Sequence, residues 1–561
     1  MKPYSEKNTP SPSEIEKEIS SFLSKRFGEN VKIISPFTLP KEAMTDMTEK
    51  PVKKEEKINF DLKPEELVHY LDQYIIKQDY AKAVLATKIC THFNRIKHLQ
   101  GQSEKAFEMV GNIKNNVLMV GPTGVGKTYM IKLIAKKIGV PFVKGDATKF
   151  SETGYVGGDV EDLVRDLVRE ANDDIELAQC GIIYIDEIDK IASSRNIVGA
   201  DVSRTGVQRA LLKPMEETDV DLKVPHDPVS MIQEVERFRK TGKREKATVN
   251  TKNILFIMSG AFNDLSDIIS KRLLNQGIGF GARINKLQDK SDILKHLKSE
   301  DLIDFGFESE FVGRLPVRAV FERLTEKDLY DILKNPNNPV MLGKRLDFAS
   351  YGIELEMEDQ LLQKLAAIAY EENTGARGLV SAVESAMLPF ETKLPSTKLR
   401  KFPATIDIIK APEKFLQELS DNPGSDSQLA AFEKIVQENK QALMTYLEQN
   451  RENWSGKYRF TLTPSRMGSI ADYYAGHIID IEAAVKKIKT YYEEIKNIEL
   501  RFYKQHDTNI VLEEDAVDYI IAQIVEKDMP MEAIWEKLSH DFEDGAKLLV
   551  EKTGKKQTVY Q

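Results

Sequence analysis

The sequence predicts an α/β fold in which helices cover both faces of a parallel sheet, followed by mainly helical segments. Three apolar runs of strand length, "NNVLMVG", "GIIYIDE" and "NILFIMSGA", alternate with amphipathic helical patterns. Continuous apolar runs are typical of parallel strands, because both faces of such strands are buried. The alternation of strands and helices predicts one sheet built from crossover units.

The 561 residues are too many for a single core, so several compact units are expected. Residues 1–60 are rich in proline and charge, which predicts a short helix at 14–26 and a linker. We expect a large α/β domain at 61–325, a small helical domain at 326–410 and a helical C-terminal extension at 411–561, with "LSDNPGSDSQ" as a linker.

One helix of the extension carries a narrow apolar seam with spacings of three and four residues. We expect it to pack within its own bundle, although a coiled segment that binds a partner has the same pattern. The seam consists of Ile478, Ile481, Val485, Ile488, Tyr492 and Ile495.

Composition excludes several classes of protein. The net charge of -9 and the pI near 5.7 argue against a constitutive DNA-binding protein. Cys90 and Cys180 are too few for a disulfide framework or a four-cysteine zinc site. No run approaches the roughly 20 apolar residues of a membrane helix, and the first residues lack a signal peptide pattern. We therefore expect a cytoplasmic protein that does not associate with membranes.

A phosphate-binding loop follows the first predicted strand and precedes a helical pattern. It matches G-x-x-x-x-G-K-[ST], in which backbone N–H groups surround phosphate oxygens, the lysine reaches the β and γ phosphates, and the hydroxyl is a ligand of Mg²⁺. The predicted cofactors are ATP and Mg²⁺. The loop and its next residue are Gly121, Pro122, Thr123, Gly124, Val125, Gly126, Lys127, Thr128 and Tyr129.

An acidic pair, Asp186 and Glu187, ends the second apolar run, "GIIYIDEIDK". In nucleotide hydrolases one such carboxylate holds the magnesium shell and the next orients and activates a water molecule. An ordinary capping turn has the same residues, but the phosphate loop makes hydrolysis the better interpretation.

Further motifs occur in a fixed order along the chain: "LDQYIIKQDY", "FESEFVGRLPV" and "NTGARGL". Together with the phosphate loop and the acidic pair, they resemble the ClpX family of AAA+ unfoldases, of the Clp/HslU group, over residues 62–410. The resemblance implies an AAA+ P-loop NTPase domain with a small helical lid domain.

The resemblance also implies roles for individual residues. Tyr74, Ile75 and Ile76 would pack on the adenine base, and Ser259 is a weaker candidate for a first sensor. Arg377 would reach the nucleotide from the lid. Arg314 would act on the γ phosphate of a neighbouring subunit in a homohexamer, where a cation stabilises the charge that develops during phosphoryl transfer.

Two loops would carry the mechanical function of the resembled family. Tyr155 and Val156 lie between glycines and match the pore loop that grips the translocated polypeptide. Ile278, Gly279 and Phe280 match the tripeptide that docks on a ClpP-like peptidase. An exposed apolar pair on a glycine tether is tolerable where a pocket receives it, and weak contacts repeated around a ring add through avidity.

The chain also departs from the family pattern. Lys77 stands where the family usually has Gly, the zinc-binding cysteines of the N-terminal domain are missing, and the final 150 residues, 412–561, have no counterpart. A basic cluster at 237–246 replaces the usual pore-entrance triplet. It would attract carboxylate-bearing peptides, or it is a solvated charged loop.

The leading hypothesis is a ring-forming, ATP-dependent unfoldase that delivers protein substrates to a ClpP-like peptidase. One alternative is a remodelling chaperone that works without a protease. Another is a nucleotide-gated scaffold without enzymatic activity, and the presence of Glu187 and Arg314 argues against the scaffold. A P-loop nucleic-acid motor is a further alternative, which the Tyr155 loop argues against. The extension would dock substrates, select a partner or brace the lid.

Overall fold

The computed structural model describes residues 61–100, 114–150, 158–193, 202–222, 248–276 and 293–506, and the shorter pieces 509–510, 512–527, 530, 533–534, 536, 540 and 559–560. Several predicted features lie outside these residues: residues 1–60, the loop with Tyr155 and Val156, the basic cluster at 237–246, and the tripeptide 278–280.

A five-stranded parallel sheet forms the centre of residues 61–325. Its strand order is β2-β3-β6-β1-β7, and β4 and β5 form a separate antiparallel pair. Three of the strands confirm the apolar runs predicted from the sequence. The strands are β1 (Val117–Val120), β2 (Phe142–Asp146), β3 (Ile182–Asp186), β4 (Asp219–Asp221), β5 (Thr248–Asn250), β6 (Leu255–Gly260) and β7 (Val317–Val320).

Side chains along each strand alternate between two buried clusters, one on each face of the sheet. Val117 and Ile182 belong to one cluster, and their neighbours Leu118 and Ile183 belong to the other. Both faces are therefore covered, which is why the strands are apolar throughout.

Helices cover both faces, so the predicted α/β fold is confirmed. Leu67, Leu85 and Ile131 of α1, α2 and α3 join the first cluster, whereas Leu163 and Leu211 of α4 and α6 join the second. The helices are α1 (Pro64–Asp72), α2 (Asp79–Gln100), α3 (Lys127–Ile138), α4 (Val160–Glu170), α5 (Ile175–Ala178), α6 (Val202–Met215), α7 (Leu265–Gln276), α8 (Ser299–Phe305) and α9 (Ser309–Gly313).

Residues 326–410, which we call the lid, are mainly helical and include one pair of short parallel strands. The segment "EDQLLQKLAAIAYEENTGARG", 358–378, predicts a helix followed by a stop signal, and the structure has α12, a break and the start of α13 there. The elements are α10 (Glu326–Lys334), α11 (Pro339–Ala349), β8 (Glu354–Met357), α12 (Asp359–Glu371), α13 (Ala376–Lys393), β9 (Lys401–Ala404) and α14 (Asp407–Lys410).

The described part of residues 411–561, which we call the extension, is again mainly helical. The seam side chains of α19 from Ile481 to Ile495 lie in a buried cluster with α16, α18 and α20, which confirms packing within a bundle. The elements are α15 (Pro412–Asp421), α16 (Asp426–Gln449), α17 (Arg451–Tyr458), α18 (Pro464–Gly476), α19 (Ile481–His506), β10 (Asn509–Ile510), α20 (Glu514–Lys527) and β11 (Val559–Tyr560).

The linker predicted at 419–428 is mostly wrong. Helix α15 continues to Asp421, and Leu419 is fully buried against the lid core. Only residues 422–425 join α15 to α16. Burial of Leu419 stabilises the last turn of α15, although the residues around it are polar. None of the described helices has the length and apolar character needed to cross a membrane.

Candidate active site

The predicted phosphate site lies at the carboxyl edge of the sheet, where β1, β3 and β6 end. The phosphate loop follows β1, the acidic pair ends β3, and Ser259 lies at the end of β6, one residue before Gly260, which pairs with Val120. Parallel strands bring their carboxyl ends to one edge, and ligands bind there. Motifs separated by about sixty residues in sequence therefore meet in one place.

The phosphate loop needs glycine for steric reasons. Gly124 has a φ of 73°, and a Cβ on it would lie 2.0 Å from the carbonyl oxygen of Thr374 in the lid. Gly126 has a φ of 90° and leads directly into α3. The loop thereby presents backbone N–H groups and a helix N-terminus, which together form an anion site.

Lys127 is almost fully buried at the first position of α3, with 9% of its surface exposed. Its Nζ donates hydrogen bonds to the carbonyl oxygens of Gly121 at 2.6 Å and Pro122 at 2.7 Å. Burial lowers the pKa of Lys127 to about 8, although the negative charge of Asp186 acts in the opposite direction. A phosphate beside this ammonium would favour its charged form.

A hydroxyl network joins the loop to the acidic pair. Thr128 Oγ1 lies 2.9 Å from the hydroxyl of Tyr184, which in turn lies 3.5 Å from Asp186 Oδ1. Ser259 Oγ donates to the same Oδ1 at 3.3 Å. Burial raises the pKa of Tyr184 to about 12, so its O–H is kept. Thr128 and Asp186 are therefore close neighbours.

The donor set fits Mg²⁺. Thr128 and Asp186 supply a hydroxyl and a carboxylate oxygen, and Mg²⁺ prefers oxygen ligands. Among the described residues, no group of three or more His, Cys, Asp or Glu side chains could hold a metal ion. Mg²⁺ sites in nucleotide hydrolases take one or two protein ligands and complete the shell with phosphates and water, so a hydroxyl and one carboxylate are a sufficient protein contribution.

Glu187 has an unusual backbone conformation. Its φ is 57°, in the left-handed region that residues other than glycine rarely adopt, and its N–H donates to Asp186 Oδ1 at 3.1 Å. Backbone strain of this kind concentrates at functional sites. The strained residue points an exposed carboxylate at the cleft, where water has access to it.

The cleft has a volume of about 500 Å³ and is lined by both the α/β part of the chain and the lid. Tyr74, Ile75 and Ile76 are among the residues that line the cleft. Arg377, from the first turn of α13, and Leu379 also line the cleft. Ser259 is not among the lining residues, since it lies behind Asp186.

Arg314 lies outside the nucleotide cleft. It follows α9, is about half exposed, and forms an ion pair with Glu216, the residue after α6. It is not among the described residues that line the cleft. Of the other predicted nucleotide-site residues, 74–76, 123–129, Asp186, Glu187 and Arg377 line the cleft, whereas Gly121, Pro122 and Ser259 do not.

Sequence reasoning missed two residues of the site, Tyr184 and Lys144. Tyr184 lies within an apolar strand and was therefore interpreted as a core residue. Its position two residues before Asp186 is the signal that could have assigned its hydroxyl to the site. Lys144 lies on β2, and its Nζ is 2.9 Å from Asp186 Oδ2. Only the pairing of β2 with β3 places it there.

Lys77 adopts the conformation for which glycine is favoured, with a φ of 61°. Its side chain offsets the strain, because Nζ donates to the carbonyl oxygen of Arg323 at 2.8 Å and pairs with Asp328 at 2.9 Å. Lys77 therefore forms the same kind of left-handed turn after Ile76 that the glycine of the family would form.

Comparisons with known proteins agree with this geometry. A family model described as AAA domain (Cdc48 subfamily) matches residues 112–318, and one described as the C-terminal, D2-small domain of ClpB protein matches residues 324–398. The chain is 40% identical to the ATP-dependent Clp protease ATP-binding subunit ClpX of Treponema denticola over 342 residues, which is 60% of this chain and 79% of that protein. The chain is therefore a nucleotide-binding ATPase and belongs to the ClpX family of AAA+ ATPases.

Proposed function

We propose that this ATPase is a ring-forming protein unfoldase and translocase that delivers substrates to a ClpP-like peptidase. The carrying observation is that the nucleotide cleft is shared between the α/β part and the lid. Nucleotide turnover in such a cleft moves one part against the other, as in hinge closure around a ligand. The relative from Treponema denticola is named as the ATP-binding subunit of a Clp protease, which supports the peptidase as partner.

Direct contacts connect the phosphate loop to the lid. The N–H of Ala376 donates to the carbonyl oxygen of Gly124 at 2.8 Å. A Cβ on Gly375 would lie 2.8 Å from that same oxygen, so the two backbones touch. A change in the loop on binding or losing phosphate would therefore displace the start of α13.

The site residues have distinct proposed roles. Lys127 and the loop N–H groups bind the phosphates, and Tyr74, Ile75 and Ile76 hold the base. Thr128 and Asp186 would hold Mg²⁺, which supplies charge neutralisation to the phosphates. Glu187 orients the attacking water and accepts its proton.

Assembly would complete the site. Arg377 contacts the nucleotide from the lid of the same subunit, whereas Arg314 reaches the γ phosphate of a neighbour in a homohexamer. The position of Arg314 outside its own cleft supports this division. The pore residues Tyr155 and Val156 would grip the polypeptide during each cycle.

Phe280→Ala is expected to abolish reporter degradation while the ATPase rate stays close to the parental rate, because the docking loop contacts the peptidase and not the nucleotide. The measurement uses full-length protein, ATP, a ClpP-like peptidase and a folded fluorescent reporter with an unstructured tail. Peptide release and fluorescence are followed together. Leu274→Ala, an exposed apolar side chain on α7, is the matched control and should degrade normally.

The same assay separates the alternatives. With the parental protein, loss of reporter fluorescence without peptide release would indicate a remodelling chaperone and contradict the peptidase partnership. Absence of both, with ATP hydrolysed, would indicate a scaffold.

For the extension, we propose that it braces the joint between the α/β part and the lid. Asn337 lies in the segment that joins α10 to α11 and is 4% exposed. Its Nδ2 donates to the carbonyl oxygen of Gln73 at 3.0 Å, and its Oδ1 accepts from the N–H of Ile481 in the extension at 3.1 Å. The hydroxyl of Tyr474 donates to the carbonyl oxygen of Pro336 at 2.9 Å.

Asn337→Ala is expected to weaken nucleotide affinity severalfold, because Gln73 precedes the base-side residue Tyr74. The lost hydrogen bonds should also lower the free energy of unfolding by about 1–3 kcal/mol. Binding of a fluorescent ADP and thermal unfolding measure the two effects. Asn450→Ala, which removes a bond to Tyr446 within the extension, should lower stability alone. If Asn337→Ala lowers thermal stability but leaves the affinity for ADP unchanged, as Asn450→Ala should, the extension does not brace the joint.

A further inference from the structure

Lys144 occupies the edge strand β2, opposite Tyr184 in the parallel register with β3. Its Nζ lies 2.9 Å from Asp186 Oδ2 and 5.9 Å from the centre of the Tyr184 ring. The Lys144 side chain is 43% exposed, whereas that of Asp186 is 18% exposed.

The two oxygens of Asp186 have different surroundings. Oδ1 accepts from the N–H of Glu187 at 3.1 Å and from Ser259 Oγ at 3.3 Å, and the Tyr184 hydroxyl lies 3.5 Å away. Ser259 and Tyr184 are buried, and together with the Glu187 N–H they orient the carboxylate. Oδ2 pairs with Lys144, and this is the oxygen left for a cation in the cleft.

A carboxylate oxygen attracts an ammonium group and a metal cation alike, because both carry positive charge. Lys144 Nζ already lies 2.9 Å from Oδ2. A cation that binds to Oδ2 from the cleft would therefore have to compete with this ion pair.

We propose that Lys144 is a positioning residue that competes with Mg²⁺ for Oδ2 of Asp186 and thereby sets the Mg²⁺ concentration at which nucleotide is bound as its magnesium complex. The proposal rests on the assignment of Asp186 to Mg²⁺ under the proposed function. A half-exposed lysine on a flexible stem can leave the carboxylate for solvent at little cost, so its competition is mild.

The test follows fluorescence of an N-methylanthraniloyl ADP on the full-length protein, first in EDTA and then during titration with MgCl₂. Lys144→Met should lower the Mg²⁺ midpoint about two- to fivefold, as the loss of one exposed ion pair predicts. Lys144→Glu should lower it further, because a second carboxylate then faces the site. Lys144→Arg keeps the charge and should keep the parental midpoint. Lys132→Met, an exposed lysine of α3, is the matched control.

An unchanged or higher midpoint in Lys144→Met would overturn the proposal. Weaker nucleotide binding in EDTA would also overturn it, since Lys144 would then be a phosphate ligand. Asp186→Asn tests separately whether Asp186 is a Mg²⁺ ligand. If this substitution leaves the Mg²⁺ midpoint unchanged, Asp186 does not bind Mg²⁺. If Asp186→Asn shifts the midpoint and Lys144→Met does not, only the role of Lys144 is wrong. Circular dichroism of each variant checks that the fold is retained.

Discussion

Arg314→Ala is expected to lower ATP turnover by about 10³- to 10⁵-fold, the range seen when a cation supplied in trans is removed from a nucleotide hydrolase. Nucleotide binding should remain, because Arg314 lies outside its own cleft and pairs with Glu216 on the surface. Phosphate release per subunit measures turnover, and a fluorescent ADP measures binding. Arg169→Ala, which removes another exposed arginine paired with a carboxylate, Asp166, is the control and should turn over normally.

Mixed rings test whether Arg314 acts on a neighbour. A subunit with Arg314→Ala still carries Glu187, and a subunit with Glu187→Gln still carries Arg314. When the two inactive variants are mixed, some interfaces combine both intact groups, and turnover should reappear. Full inactivity of the mixture, with rings formed, would mean that Arg314 does not act across the interface.

Glu187→Gln is expected to lower ATP turnover by about 10²- to 10⁴-fold, as removal of a general base does. The amide cannot accept the proton of the attacking water, yet it has nearly the same size and the same left-handed backbone requirement. Binding of ATP should therefore persist, and rings should accumulate with ATP and substrate bound. Steady-state phosphate release and filter binding of labelled ATP measure the two effects.

The control for this substitution is Glu170→Gln, at the exposed end of α4. It removes the same charge from the same part of the chain, so a net-charge effect would appear in both variants. Turnover of Glu187→Gln at the parental rate would refute the role assigned to Glu187.

Much of the nucleotide site was predictable because its signals are local. A strand, a glycine-rich turn and a helix start are encoded by adjacent residues, so the positions of Lys127 and Thr128 follow from the motif and the strand pattern. The ends of parallel strands meet by geometry, which places Asp186 beside the loop without further information. The roles of these residues in turnover are predictions for the experiments above.

Other features were not predictable, because they depend on which distant segments pack together. The sequence around Leu419 indicated a linker, since polar and turn-forming residues dominate it, but burial against the lid keeps α15 helical through Asp421. The backbone conformation of Lys77 likewise depends on a residue that is distant in the sequence. Its left-handed backbone is maintained by an ion pair with Asp328, 251 residues away.

The sequence by itself determined the α/β class, the buried strands and the phosphate loop of this protein, because hydrophobic periodicity and glycine spacing act over a few neighbouring residues. Only the tertiary structure decided that Lys144 faces Asp186, that Gly124 touches the lid, and that Asn337 links Gln73 to the extension. These contacts depend on strand order, register and the packing of segments that are far apart in the chain, and no local pattern encodes them.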